Sequence, residues 1–254
     1  MKFDELPFEY QEQFISHKLP AFVFRDFPGK EFELEVFNRY NKGTKALTPQ
    51  EIRNAVYASP YNEYIGDFVK QIYKGDSERD KKLRNIFNVS KDRITEKKGS
   101  TKEFSSILYV LEYGIQGEFK DSTTYATEYM KKKSNFCSNS TEDEITQDLN
   151  SIRALFENYL NWLLKCTKYT PYPISKEFYG ISSKQYKFST SMALVLTALY
   201  KKVYIDVDSD NLEFDDVILK MKTCLTNSFL EDSSYSASST NSREIEKLID
   251  NFTI

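Results

Sequence analysis

The residue types that most often perform chemistry in proteins are few in this sequence and lie far apart. His17 is the only histidine, and the three cysteines, Cys137, Cys166 and Cys224, form no Cys-x-x-Cys pair. Zinc sites, histidine-based triads and His-Asn-His nucleases need more of these side chains. The sequence also contains no Gly-x-x-x-x-Gly-Lys-Ser/Thr phosphate loop and no Gly-x-Gly-x-x-Gly fingerprint. We therefore expect no self-sufficient catalytic site.

Two acidic clusters have the oxygen atoms that a divalent cation prefers. Glu142, Asp143 and Glu144 follow Thr141 at a predicted helix start, where carboxylates interact favourably with the helix dipole, so capping explains them better than metal binding. The run at 206–210 lacks the glycine and the terminal glutamate of a calcium loop. We interpret it as an ordinary loop.

Composition and charge indicate a globular protein rather than a nucleic-acid-coating one. The 254 residues include 35 Lys plus Arg and 38 Asp plus Glu, a net charge of −3, which argues against avid nonspecific DNA binding. We interpret the basic groups at 91–98 and 131–133 as solvated faces. The first residues are acidic, and no stretch reaches the roughly 18 apolar residues of a membrane span. We expect a cytoplasmic protein.

Capping residues and apolar spacing predict a mainly helical fold. Thr48, Pro49 and Glu51 are typical of a capped helix start. We expect that helix to reach about Ser59, where Pro60 interrupts it. Further helices are predicted over 33–41, around the stripe of Ile65, Phe68, Val69 and Ile72, after capping boxes at 100–103 and 141–144, and near 189–204, 213–228 and 241–252.

Three other stretches receive specific predictions. Residues 19–25 form a short, β-prone run that predicts a strand, with Phe22, Val23 and Phe24 in the core. The polar segment 134–140 predicts a loop between two helices. One group of tyrosines could line a base-stacking groove, but at helical spacing we favour a place in the core. Its members are Tyr109, Tyr113, Tyr125, Tyr129, Tyr159 and Tyr169.

The most specific stretch of the chain is 35–57, which reads Glu-Val-Phe-Asn-Arg-Tyr-Asn-Lys-Gly-Thr-Lys-Ala-Leu-Thr-Pro-Gln-Glu-Ile-Arg-Asn-Ala-Val-Tyr. It resembles the segment hydrophobic-Phe-x-Arg-x-Asn-x-Gly-x-x-x-Leu-x-x-Gln-Glu-hydrophobic-Arg-Asn of the GmrSD restriction endonuclease N-terminal domain family. A weaker, mostly patterned likeness extends to 3–14, 92–113, 187–200 and 240–252.

The resemblance implies a ParB/sulfiredoxin-like nucleotide-hydrolysing domain followed by helices. The family's Asp-Gly-Gln-Gln-Arg motif lies upstream of the equivalent of 3–7, and this chain contains no such motif. We therefore expect a helical bundle with a remnant of a small ParB/sulfiredoxin-like β-sheet at its N-terminus. The remnant of the nucleotide-binding domain is expected over 1–75, and the helical domain over 76–254.

Two functions follow from this expectation, and the residues leave both open. The resemblance implies a subunit or fragment of a GmrSD-type, modification-dependent anti-phage restriction system, inactive alone. It would contribute to nucleotide-dependent DNA recognition with a partner that carries the catalytic motif, and the implied ligand is a nucleoside triphosphate with Mg. The alternative is a non-enzymatic helical protein-interaction module. Because a strand at 19–25 would lack its sheet, we also expect pairing with that partner or self-association through 19–25.

The corner between the helices of the matched segment is the predicted nucleotide site. Helix N-termini and guanidinium groups bind phosphate well. The candidate residues are Arg39, Asn41, Glu51, Arg53 and Asn54. The competing interpretation is a structural corner, in which Glu51 caps its helix, Arg53 pairs with Glu51 or Glu35, and Asn41 satisfies the loop backbone.

Overall fold

Ten α-helices with described bounds and two short 3₁₀ helices form the regular structure. The structure, a computed structural model, describes residues 3–18, 23, 25, 29, 32, 33, 36, 39, 48–91, 99–175, 178, 188–206, 212–231 and 241–253. The α-helices are α1 (Phe8–Ser16), α2 (Pro49–Val56), α3 (Pro60–Lys74), α4 (Glu78–Ile86), α5 (Gly99–Tyr113), α6 (Ser122–Asn139), α7 (Glu142–Cys166), α8 (Thr190–Tyr204), α9 (Phe214–Thr226) and α10 (Ser242–Asn251). The 3₁₀ helices are Phe3–Glu5 and Phe229–Glu231.

The mainly helical fold class is confirmed, and the described residues contain no β-strand. The predicted strand at 19–25 lies outside the described residues apart from Val23 and Arg25, neither of which is in a strand. Val23 is 79% exposed. Its predicted place in the core is therefore wrong, because a core position would remove that side chain from water. The described members of the predicted helix over 33–41 have helical backbone.

Capping boxes start α2 and α7 as the sequence predicts. The Thr48 backbone N–H donates to Glu51 Oε2 at 2.9 Å, and the Thr141 N–H donates to Glu144 Oε2 at 2.8 Å. Helix α2 ends at Val56, earlier than expected. Pro60 takes the first turn of α3, a position where its missing N–H has no cost.

Two local predictions differ from the structure. Helix α5 begins at Gly99 and includes Ser100, so Ser100 is not its N-cap; Glu103 accepts a 3.2 Å hydrogen bond from Thr190 Oγ1 on α8. The polar stretch 134–140 is helical as far as Asn139. There Ser138 Oγ donates to the Ser134 carbonyl at 3.0 Å, so the polar side chains bond within the helix.

Helix α5 is the central element of the described fold. It packs against α2, α3, α6, α7 and α8, and its Ile107, Leu108, Val110 and Leu111 side chains are fully buried. A cluster of edge-to-face aromatic rings surrounds its first turns, namely Phe68, Phe87, Phe104 and Phe156. Residues on both sides of the predicted boundary after residue 75 share this core.

The predicted tyrosine group belongs mainly to the core. Tyr109, Tyr125, Tyr129 and Tyr159 are buried, and Tyr169 is 37% exposed. Tyr113 is half-buried. Among the described residues, every helix is too short or too polar to cross a bilayer.

Candidate functional site

The predicted nucleotide corner is described mainly through helix α2. Arg53 is only 8% exposed, and its Nε and Nη2 atoms donate to Gln50 Oε1 at 3.1 and 2.8 Å. Gln50 Nε2 in turn donates to Asn54 Oδ1 at 2.9 Å. Burial lowers the pKa of Arg53, and the nearby carboxylate of Asp121 raises it by a smaller amount. Gln50 therefore holds both polar side chains of this corner.

Three of the five predicted site residues thus share one short helix. Glu51 forms the capping box with Thr48, while Arg53 and Asn54 bond to Gln50. Arg39 has helical backbone and is exposed, and Asn41 lies outside the described residues. The partner of Arg53 is Gln50, which sequence reasoning did not single out. Its position one turn before Arg53 on the same face was the available signal.

A second polar site lies inside the helical bundle, where α3, α5, α6 and α7 meet. Lys133 Nζ lies 2.6 Å from Glu112 Oε1 and 3.0 Å from Asp148 Oδ2, and the Lys133 side chain is 5% exposed. Tyr61 OH donates to Asp148 Oδ2 at 2.6 Å. We call Tyr61, Glu112, Lys133 and Asp148 the ionic cluster.

The electrostatics of the ionic cluster favour a protonated lysine. Burial alone would lower the pKa of Lys133, but hydrogen bonds and charges from Glu112 and Asp148 raise it overall. Burial raises the pKa of Glu112, and Lys133 offsets only part of that effect. The ammonium also lies 4.9 Å from the ring centroid of Tyr61, where the ring quadrupole attracts a cation.

Two further polar atoms are buried at one edge of the ionic cluster, Glu112 Oε2 and Tyr129 OH. The Tyr129 hydroxyl lies close enough to Glu112 to lower the pKa of that carboxyl slightly, against the larger effect of burial. A protonated lysine between two carboxylates is neither a nucleophile nor a base, so the arrangement suits a clasp between helices better than a reaction centre.

The interpretation of 131–133 as a solvated face is therefore wrong for Lys133. Lys133 follows the buried Tyr129 by one helical turn and Tyr125 by two, so it continues a buried stripe of α6. That spacing was visible in the sequence. The carboxylates that make burial tolerable lie 21 and 15 residues away.

An apolar surface lies on the N-terminal helix α1. Phe8, Tyr10, Phe14 and Ile15 are exposed by 72%, 60%, 72% and 72%. Within the segment, the rings of Phe3 and Phe14 lie 5.5 Å apart. Contiguous exposed apolar surface on a protein commonly marks an interaction site. We call the four exposed side chains the α1 face.

The acidic run at 206–210 is described only at Asp206, which pairs with Lys201. Within the described ranges, no group of three His, Cys, Asp or Glu side chains is placed to hold a metal ion.

Comparisons of the chain with family models, with curated proteins and with solved structures give no match. The GmrSD resemblance at 35–57 therefore stays a prediction from the sequence.

Proposed function

We propose that this chain functions by binding another protein through α1, as a non-enzymatic helical module. The observation that carries the proposal is the α1 face, whose four large apolar side chains are each at least 60% exposed. At 3.6 residues per turn these side chains fall within about half the circumference of α1, with Gln11 between the Phe8/Ile15 and Tyr10/Phe14 pairs, and Glu9, Glu12, Gln13 and Ser16 fall on the other half. An amphipathic helix of this kind binds by laying its apolar side in a groove.

The energetics of burial support this role. Full burial of a Phe or Ile side chain contributes roughly 1.5–3 kcal/mol. Phe8, Phe14 and Ile15 together could therefore offset a substantial part of the roughly 4–15 kcal/mol that association costs. In this structure the three side chains are each 72% exposed, so most of their apolar surface is still in contact with water.

A GmrSD-type defence subunit is a more specific form of the same proposal. Here the partner would carry the Asp-Gly-Gln-Gln-Arg half, and the completed site would bind a nucleoside triphosphate with Mg during DNA recognition. The sequence pattern at 35–57 supports it. The remaining proposed nucleotide contacts are made by Arg39, Asn41, Glu51 and Asn54. The proposed sheet pairing with the partner is made by residues 19–25.

Co-expression with the product of the reading frame directly upstream tests both forms. Light scattering after size exclusion measures whether a complex or a self-associated species forms. We expect one of them in the unchanged chain, and its loss in the double variant Phe8→Asp/Ile15→Asp. The matched control is Gln13→Asp/Ser16→Asp, which adds the same charge to the polar side of α1. It should leave assembly intact.

Two outcomes decide between the alternatives. A strictly monomeric chain that binds no upstream product would refute the interaction proposal. If a complex forms and hydrolyses a nucleoside triphosphate with Mg, and Arg53→Ala removes hydrolysis but not assembly, the defence-subunit form is supported. If a complex forms but binds no nucleotide, only the helical interaction module is supported.

A further inference from the structure

A cleft of about 740 Å³ lies where α7, α8 and the start of α9 meet. Its volume is in the range of small-molecule sites. Aromatic rings form its inner surface, and polar side chains of α7 stand at its rim. The rings are Trp162, Tyr200, Tyr204 and Phe214, and the rim carries Asn158, Asn161 and Lys165.

Two of the four rings in the cleft are buried and two are half-buried. Trp162 and Tyr200 are each 5% exposed, and their ring centroids are 5.2 Å apart. Tyr204 and Phe214 are half-buried, so part of each ring surface faces outward. A planar group entering the cleft would therefore meet ring faces on its walls.

Two polar atoms are buried on the floor of the cleft, Trp162 Nε1 and Tyr204 OH. Burial raises the pKa of Tyr204, and the neighbouring Trp162 indole N–H lowers it by less. These two atoms face each other, so the groups that remain for a ligand are the ring faces and the polar side chains at the rim.

An exposed lysine stands at the rim of the cleft. Lys165 Nζ lies 5.9 Å from the Phe214 ring centroid, and no described carboxylate pairs with it. One turn further along, Lys168 is paired with Asp215 at 2.9 Å. The exposed amides of Asn158 and Asn161 each offer both donors and an acceptor beside the Lys165 ammonium.

We propose that this cleft binds a nucleotide, with the base against the Tyr204 and Phe214 rings and the phosphate on Lys165. Ring stacking tolerates any base because every base has a π-face. The amides of Asn158 and Asn161 hydrogen-bond the base edge, and the Lys165 ammonium serves as a point charge for the phosphate. The inference is independent of the role proposed for α1, because the two surfaces share no residue.

Trp162 is the only tryptophan of the chain, so its fluorescence reports on this cleft directly. Titration of the full chain with AMP should change the emission saturably. Lys165→Gln should weaken AMP binding about tenfold, as loss of a charge-assisted contact does. Lys168→Gln is the matched control and should bind AMP as the unchanged chain does. Adenosine should bind more weakly than AMP, and ribose 5-phosphate more weakly still.

Asn161→Asp provides a second variant, because Asn161 is exposed and the change places a negative charge beside the phosphate. Because it also replaces an amide that contacts the base edge, it should weaken the binding of both AMP and adenosine, and that of AMP by more, since the new carboxylate repels the phosphate. The proposal is overturned if AMP gives no saturable change beyond that of free N-acetyltryptophanamide. Equal weakening by Lys165→Gln and Lys168→Gln, or equal binding of AMP and adenosine, also overturns it.

Discussion

Tyr61 on α3 and Asp148 on α7 are joined by a 2.6 Å hydrogen bond across 87 residues of sequence. Asp148 also contacts Lys133, which contacts Glu112. The ionic cluster therefore connects four helices through one buried ammonium. Because α3 precedes the expected boundary at residue 75 and the other three helices follow it, the two expected regions are linked by the Tyr61–Asp148 hydrogen bond as well as by apolar packing.

Tyr61→Phe should lower the free energy of unfolding by about 1 kcal/mol, since a hydrogen bond to a charged group contributes at least that much. The ring remains, so packing is unchanged. Tyr64→Phe on the same helix is the control, because the Tyr64 hydroxyl has no hydrogen bond in the described structure. Urea unfolding followed by circular dichroism measures both. If both variants lose the same free energy of unfolding, the hydrogen bond from Tyr61 to Asp148 contributes nothing specific to stability.

Lys133→Met should be the most damaging single change in the ionic cluster. It leaves Glu112 and Asp148 without their cation, and removal of one partner from a buried pair costs about 3–5 kcal/mol. The lower end is expected, because the Asp148 side chain is 33% exposed. Lys132→Met is the control: Lys132 is exposed and only approaches the Tyr113 ring, at 4.9 Å. That contact contributes about 0.5–1 kcal/mol.

If Lys133→Met and Lys132→Met lower the free energy of unfolding by similar amounts, the buried carboxylates of Glu112 and Asp148 accept a proton or a water molecule without cost. The unfolding midpoint in urea distinguishes these outcomes, provided that the dependence on urea is the same in all three proteins.

Local signals in the sequence were sufficient for most helices. Thr48 with Glu51 and Thr141 with Glu144 act within one turn, so their capping boxes were predictable. The burial of Lys133 was not predictable in this way, because it depends on Glu112 and Asp148, which reach Lys133 only after the chain folds. The same limit applies to the corner. Charge and spacing selected Arg53, but its contact with Gln50 depends on side-chain conformation.

Glu51→Ala should lower the free energy of unfolding by about 1 kcal/mol if Glu51 acts only in its capping box. Its carboxylate accepts from the Thr48 N–H at 2.9 Å. The matched change is Glu144→Ala in the second box, which should shift the unfolding midpoint in the same direction. If Glu51 serves a ligand instead, Glu51→Ala would preserve or raise stability while binding of nucleotide or partner falls. Denaturant melts beside a binding assay separate these results.

Asp121 caps α6 and gives the clearest pH test. Its Oδ1 accepts from the Thr123 N–H at 2.7 Å and from the Thr124 N–H at 2.9 Å. Burial alone would raise the pKa of Asp121, but these backbone hydrogen bonds lower it overall, below its ordinary value of 3.8. Asp121→Ala should therefore cost about 1 kcal/mol near neutral pH, the usual value of an N-cap.

The direction of the pH effect follows from this lowered pKa. The unfolded chain takes up the proton near pH 3.8, and the folded chain does so only at lower pH. The stabilising contribution is therefore complete above the unfolded value and is lost as the pH falls through the folded pKa. The stability difference between the unchanged chain and Asp121→Ala should stay constant from pH 7 to about 5 and narrow towards pH 2.5. Asp121→Asn caps without titrating, so its stability relative to the unchanged chain should rise in acid. Urea unfolding at several pH values measures all three proteins, and a difference for Asp121→Ala that does not change with pH would show that the carboxylate charge plays no part in the cap.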